Sequence, residues 1–371
     1  MQLSTASGIL TLAALLTATP TCAQVTIRWQ PQTATLIQSG AAYGRMVRLP
    51  NRTILCAYSR HATIYVRSSQ DNGKTWERET VAVKYPNGHA TNAELLVLQD
   101  GRVLLMYNER PTDAMSPYAI GACTSRDGGR TWKDHRRVFT AGTDQRTGCW
   151  EPAAIQLPSG EIQLFFANEA PYRNTTEQEI TRLRSLDSGT TWLEPQAVSF
   201  RPRHRDGMPV PLLLANGKQI AIAVEDSGLA GRFKPAIISL ATTDVPDSLP
   251  VGANDNRRQP ALAQPLPDHV YAGAPYLVQL PSGETVLSVQ STEGRGTPHD
   301  HPNSRMVVYI GDSTAHHFSS RSVPFQTLTE APGLWNSLFV KDDETITAIS
   351  GTTINGQYGL WAIDGHIIQK P

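Results

Sequence analysis

The sequence predicts an all-β protein, a six-bladed β-propeller of four-stranded antiparallel blades, and three observations carry that expectation. The first is a repeated turn. Ser-x-Asp-x-Gly-x-Thr-Trp occurs without a gap at residues 69–76, 125–132 and 185–192, which places its aspartates at 71, 127 and 187. The second is a hairpin signal independent of the first: six pairs of apolar, β-rich runs flank tight turns that begin after Leu49, Leu98, Leu157, Leu214, Leu280 and Val340. Gly, Asn and Asp in such turns supply the positive backbone φ that short hairpins require. The third is the near absence of helical periodicity. Repeats of roughly this length indicate stacked or radial architectures, and the rungs of a parallel β-helix, the competing repeat fold, are much shorter.

Each unit continues with a third strand, such as "ATIYVRS" or "YAIGACTS", and a fourth, such as "ETVAVK" or "RRVFTA". Four strands in each of six units make a propeller. The last unit ends at "YGLWAID" and "HIIQKP", so an early strand, "VTIRWQ" or "TATLIQ", is expected to complete its blade and close the ring. Residues 24–371 are therefore read as one domain. Residues 1–23 read as a secretory signal, with an apolar run from about Gly8 to Leu16 followed by small residues up to Ala23. An N-terminal anchor is the alternative, but the run is far short of the ~20 residues of a membrane span. A secreted or periplasmic location is expected, without a membrane span.

Lys plus Arg balance Asp plus Glu at 33 each, so no global field recruits nucleic acid or an anionic membrane. With Cys22 removed, Cys56, Cys123 and Cys149 remain; they allow at most one disulfide, lack zinc-site spacing, and are expected in the core. No nucleotide fingerprint or nucleophile elbow appears, and neither a cofactor nor a metal is expected. "TPHDHPNS", with His299, Asp300 and His301, is too loose a pattern for a metal site and reads as a solvated loop or a substrate contact. Asn51 and Asn174 head glycosylation sequons, which matter only in a eukaryotic source. A monomer is expected.

The repeated turn itself is read as structural. Its aspartate can accept hydrogen bonds from its own backbone, its glycine takes a conformation costly for other residues, and Trp76, Trp132 and Trp192 can pack between sheets. This pattern resembles the Asp-box, or bacterial-neuraminidase repeat, of the sialidase-like propellers, over essentially the whole mature chain. In that family the box lies between a blade's third and fourth strands, where Asp71, Asp127 and Asp187 fall. Two worn versions follow, "TTDVPDS" from Thr242 and "IGDSTAHHF" from Ile310. The family's ligands bind at the opposite mouth.

The residues entering each inner strand and leaving each second strand should line that mouth. The entering set includes Arg45, Asn92, Glu94, Glu151, Asp206, Tyr276, Trp335 and Asn336; the leaving set includes Arg60, Asn108, Glu109, Arg110, Glu169, Glu225, Asp226, Glu293 and Arg295. Each carboxylate could be a paired rim residue, but the set as a whole suits glycosidic cleavage, which needs one protonated acid and one ionised base or nucleophile. Aromatic faces stack on sugar rings. "GCWEPAAIQLPSG", with Glu151 beside Trp150, and "DGMPVPLLLANGKQIAIAVED", with Asp206 and Glu225, are similar to motifs of glycoside hydrolase family 93, the exo-acting α-L-arabinanases. That resemblance implies a retaining mechanism on a terminal α-linked sugar of an oligo- or polysaccharide, with Glu151 as acid/base and Glu225 as nucleophile. Glu169 is a rival for either role.

A sialidase is the first alternative. It demands three arginines on the substrate carboxylate and a tyrosine nucleophile held by a glutamate; Arg45 and Arg295 are candidates, while the last blade offers Tyr358 but no arginine. A propeller that binds glycan or protein without catalysis is the second. The substrate-contact residues expected on the glycosidase reading are Arg45, Arg60, Asn92, Asn108, Arg110, Trp150, Asp206, Tyr276, Arg295 and Trp335.

Overall fold

The computed structural model describes residues 25–243 and 250–369. The expected signal, 1–23, and most of the worn repeat after Thr242 lie outside the described residues. Six antiparallel sheets form the blades. Their inner strands are Ala42–Arg48, Gly88–Val97, Cys149–Gln156, Asp206–Leu213, Ala272–Gln279 and Leu334–Val340. Each turns back through the hairpin expected from sequence into a second strand: Ile54–Arg60, Val103–Pro111, Ile162–Asn168, Gln219–Asp226, Thr285–Ser291 and Thr345–Ile354.

Ring closure uses both candidate early strands. Val25–Trp29 pairs with residues 365–369 of the long last strand Gln357–Gln369, and Thr35–Ser39 pairs with residues 359–362 of the same strand. The N-terminus thus supplies the outer edge of blade six.

The core is divided into six apolar clusters, one at each junction between neighbouring blades. Period-two alternation explains how one strand serves two junctions. Phe165 and Phe166 are both fully buried, yet the first packs toward blade four and the second toward blade two. Cys56, Cys123 and Cys149 are buried free thiols within this packing.

The repeated turns lie between third and fourth strands and have the geometry their residues imply. Asp71 Oδ1 accepts the Thr75 N–H at 2.9 Å and the Ser69 hydroxyl at 2.8 Å, while Oδ2 accepts the Thr75 hydroxyl at 2.6 Å. Ser69 Oγ in turn accepts the N–H of Gly73, whose φ of 85° excludes a comfortable side chain. The other two copies repeat these bonds around Asp127 and Asp187. Trp76, Trp132 and Trp192 pack into the junction with the preceding blade. The worn turn at Asp312 keeps the logic with different residues: Asp312 accepts the Thr314 and His316 N–H groups, and Phe318 fills the junction where tryptophan stands elsewhere.

Every inner strand also carries one extra residue near its start. Tyr43, Asn92, Glu151, Met208, Ala274 and Trp335 sit at the same place in the six blades, each at a register shift and each at positive φ, between 45° and 59°. A bulge of this kind bends the strand and re-aims the extra side chain. Positive φ is uncommon for residues other than glycine and asparagine, so the surroundings must hold it.

The closing strand yields a test. Val25 and Ile27 are buried against blade five and the rest of blade six. Replacing both by alanine is expected to lower unfolding free energy by about 3–6 kcal/mol, from ~1.5–3 kcal/mol per buried aliphatic side chain, measured by urea denaturation.

Candidate active site

The six bulge residues meet at the mouth of the ring. Tyr43, Met208, Ala274 and Trp335, from blades one, four, five and six, pack together across the axis. Glu151 and Asn92 are the polar members of the set, on blades three and two. Below them Glu94 is held by Arg45 of the neighbouring blade at 3.1 Å and by the Tyr276 hydroxyl of the opposite blade at 3.2 Å. Arg45, only 2% exposed, is further enclosed by the rings of Tyr43 and Tyr276. This triad is part of the floor of the mouth.

A cleft of about 550 Å³ opens over the polar side. Glu151, Glu225 and Glu169 all line it, with Arg110, Arg205, Trp150 and Gln178; Asp144, Gln145 and Arg146 form its outer lip. Carboxylates from two strands and from the residue just after a third therefore converge on one space.

Glu151 is set by its backbone. Its N–H donates to Asn108 Oδ1 at 2.8 Å, and Asn108 Nδ2 donates to the Cys149 carbonyl at 2.6 Å, so one buried amide from blade two clamps both sides of Trp150. Burial is the main force that raises the Glu151 carboxyl, up to about 7; Arg110, whose guanidinium lies 3.6 Å away, opposes it, while the charges of Glu225 and Glu169 add to it. A carboxyl poised near neutrality can hold a proton for transfer.

Glu225 is the penultimate residue of the second strand of blade four, opposite Gly207. Its Oε2 accepts the Ala274 N–H at 2.9 Å and the Tyr271 hydroxyl at 3.4 Å. Burial raises this carboxyl as well, against the Ala274 N–H, Arg205 and Tyr271. Close approach requires glycine at 273: a Cβ there would stand 2.5 Å from Glu225 Oε2 and 2.4 Å from Tyr271 Oη.

Glu169 is occupied differently. One oxygen, Oε1, accepts both the Trp150 indole N–H, at 3.1 Å, and the Arg205 guanidinium. It anchors the ring and the arginine that flank the other two carboxylates. Arg110 spans the cleft wall, lying over Trp150 and donating to Asn92 Oδ1.

Several residues expected at the mouth are elsewhere. Asp206, 1% exposed, faces away into a buried cluster with Asp226, Arg201 and Arg258, because charges inside a fold persist only when paired. Arg60 pairs with Glu79. Arg45 and Tyr276 are committed to Glu94, and Asn108 to the backbone clamp, so these three support the site from below. Arg295 braces the loop that follows blade five's second strand, donating to the Asn303 and Glu330 carbonyls. Arg110, Trp150, Asn92 and Trp335 do reach the mouth. Sequence reasoning missed Arg205, Tyr271 and Tyr43. Each lies within a few residues of a position that was singled out, and the bulge, invisible in a simple alternation, is what shifts the phase. Among the described residues no group of three or more metal-binding side chains is present.

Residues 119–221 match the BNR repeat-like domain. A search of curated proteins finds no match. The fold is that of solved six-bladed propellers. The chain is similar to the glycoside hydrolase family 93 α-L-arabinofuranosidase of Fusarium graminearum, in a complex with arabinobiose, at 18% identity and a TM-score of 0.67, covering 93% of this chain and 97% of that one. It is similar to the Penicillium chrysogenum α-L-arabinanase, also bound to arabinobiose, at 16% identity and a TM-score of 0.60 over 94% and 99%. A Hadza microbial sialidase matches at 14% identity and a TM-score of 0.56 over 88% and 65%. The chain thus shares a fold used by glycosidases.

The clamp on Glu151 is open to direct measurement. Asn108→Ala leaves the Glu151 N–H and the Cys149 carbonyl without their partner, and an unsatisfied buried polar group costs about 1–3 kcal/mol. A loss of roughly 2–6 kcal/mol in urea unfolding is expected for the two groups together.

Proposed function

We propose that the protein is a glycoside hydrolase that removes a terminal α-linked sugar with retention of configuration. Glu225 is the nucleophile and Glu151 the acid/base. The observation that supports this most is a comparison between blades. Asn108, Glu225 and Gln290 stand at equivalent places on their second strands, and each accepts the bulge N–H of the next blade: Glu151, Ala274 and Trp335. Neutral amides do this in blades two and five. Only blade four uses a carboxylate, whose charge the cap does not need, and that carboxylate borders the cleft shared with Glu151.

In the first step a Glu225 oxygen attacks the anomeric carbon while Glu151 gives its proton to the departing glycosidic oxygen. A covalent glycosyl-enzyme forms and the shortened saccharide leaves. In the second step the Glu151 carboxylate takes a proton from water, the hydroxyl oxygen bonds to the anomeric carbon, and the bond to Glu225 breaks. The arginines of the cleft fit a neutral sugar: Arg110 faces Glu151, Arg205 pairs with Glu169 and Arg146 pairs with Asp144. On this reading residues 1–23 direct export to where polymeric substrate is found, and amino-terminal sequencing of protein from the medium should begin at Gln24.

One contact favours a second reading. Tyr271 donates to Glu225, a tyrosine held by a glutamate as a sialidase nucleophile would be. A sialidase also needs arginines free for the substrate carboxylate, and those of this cleft are partnered. Assay on α-arabinofuranosyl and sialyl substrates separates the two, and activity on the sialyl substrate alone, lost in Tyr271→Phe, would replace the first reading by the second.

Glu151→Gln and Glu225→Gln are each expected to lower kcat by about 10²–10⁴-fold, and the first-formed product should keep its anomeric configuration by NMR. Unchanged rates in both variants would end the assignment. Activity requires Glu151 protonated and Glu225 ionised, so kcat/KM should fall as pH rises through about 7. Removing a neighbouring negative charge with Glu169→Gln should move that alkaline limb to lower pH, and removing a positive one with Arg110→Met should move it higher.

A further inference from the structure

The outer half of blade five gathers three arginines that the carboxylate cleft does not use. Arg305 opens the third strand, Arg305–Gly311, and Arg321 lies on the fourth, Ser319–Ser322, while Arg295 stands on the loop that follows the second. None of them lines the cleft.

Their partners are divided unequally. Arg295 spends all three nitrogens on its surroundings: Nε donates to the Asn303 carbonyl, Nη2 to Asn303 Oδ1 and Nη1 to the Glu330 carbonyl. Arg321 spends only Nε, which donates to Glu293 Oε2 at 2.7 Å, an oxygen that also accepts the Tyr309 hydroxyl at 2.6 Å. Arg305 spends nothing. Its side chain is 16% exposed, its Nε is buried without a partner, and its ion pair among the described residues, from Nη1 to Glu330 Oε2, is 3.8 Å long and beyond hydrogen-bond reach. Glu330 is itself 79% exposed, so water screens its charge. Burial weighs most against the charge on Arg305, Arg321 and Arg295 add to it, and Glu330 and Glu293 oppose. A guanidinium cannot shed its proton to escape such a place. Three positive charges therefore face two negative ones, of which one is already shared by Arg321 and Tyr309.

Gly294 keeps a space open beside the two uncommitted forks. Its φ is 68°, and a Cβ there would stand 3.3 Å from Arg305 Nη2 and 3.9 Å from Arg321 Nη2, so both nitrogens border one opening. An anion with oxygens on several sides can accept from both, and charge-assisted bonds to guanidinium are among the strongest a protein makes.

We infer that Arg305 and Arg321, beside Gly294, form a binding site for a tetrahedral oxyanion, a sulfate or phosphate group that is free or carried as an ester. The site goes beyond the glycosidase reading and does not depend on it. Arg295 adds charge without donating, and Glu330 is the chain's own weak competitor for the place.

Binding is measured by melting temperature and calorimetry on the full chain at constant ionic strength, with sodium chloride replaced stepwise by sodium phosphate or sodium sulfate. A saturable rise in melting temperature with at least one of the two is expected. Arg305→Met keeps the aliphatic stem and removes the fork, and should weaken that anion at least about 10-fold, the scale of losing charge-assisted hydrogen bonds. Glu330→Gln removes the competing carboxylate from an exposed position, where folding is not at stake, and should tighten the anion about twofold to fivefold. Glucose 6-phosphate tells the two sources apart: tighter binding than inorganic phosphate marks an ester, and weaker binding a free ion. No response beyond that to chloride, a response that does not saturate, or wild-type affinity in either variant overturns the site.

Discussion

A strand at the centre of a propeller turns its side chains alternately toward one neighbouring blade and the other, which leaves little to point along the axis. The extra residue in each inner strand breaks that rule at one place, and the chemistry of the mouth depends on it. Six bulges put Tyr43, Asn92, Glu151, Met208, Ala274 and Trp335 around one opening. Each backbone there takes a conformation that an ordinary side chain resists, and in three of the six a neighbouring blade caps it. Asn108, Glu225 and Gln290 do so by accepting the N–H that the bulge withdraws from its own ladder. The shape of the mouth and the placement of Glu151 and Glu225 thus share one set of hydrogen bonds.

The three glutamates of the cleft show how partners, more than residue type, decide what a carboxylate can do. Glu169 spends an oxygen on Arg205 and an indole. Glu225 rests one oxygen on a backbone N–H and a phenol. Glu151 has only a guanidinium at 3.6 Å against burial and two nearby negative charges, and its carboxyl rises to about 7. The proposed roles of anchor, nucleophile and proton donor rest on those environments.

The sequence carried the architecture almost in full. The turns at Asp71, Asp127 and Asp187 and the six hairpins were legible, because each depends on residues a few positions apart; one early strand was expected to close blade six, and the structure uses both candidates. The cleft was legible by topology: Glu151, Glu169, Glu225, Arg110 and Trp150 were all placed at the mouth. What failed were positions next to a bulge or inside a charge cluster. Asp206 looked like a mouth residue from its place on the strand, but its direction is set by Arg201 and Arg258, 5 and 52 residues away in sequence. Arg205, one residue earlier, is the side chain that reaches the cleft. Pairing over such distances, and a one-residue change of phase, leave no local mark.

The pairing of Val25 with Gln369 joins the first described residue to the last. Five blades are made from consecutive stretches of chain and can be organised as those stretches emerge, whereas the sixth waits for both ends. Tyr43 and Trp335, whose rings lie 6.3 Å apart at the mouth, belong to the two blades that meet at this last seam. The mouth is therefore complete only when this seam is closed. The amino-terminal strand works as a clasp, and a chain cut short by its last dozen residues has no seam to fasten and no finished mouth.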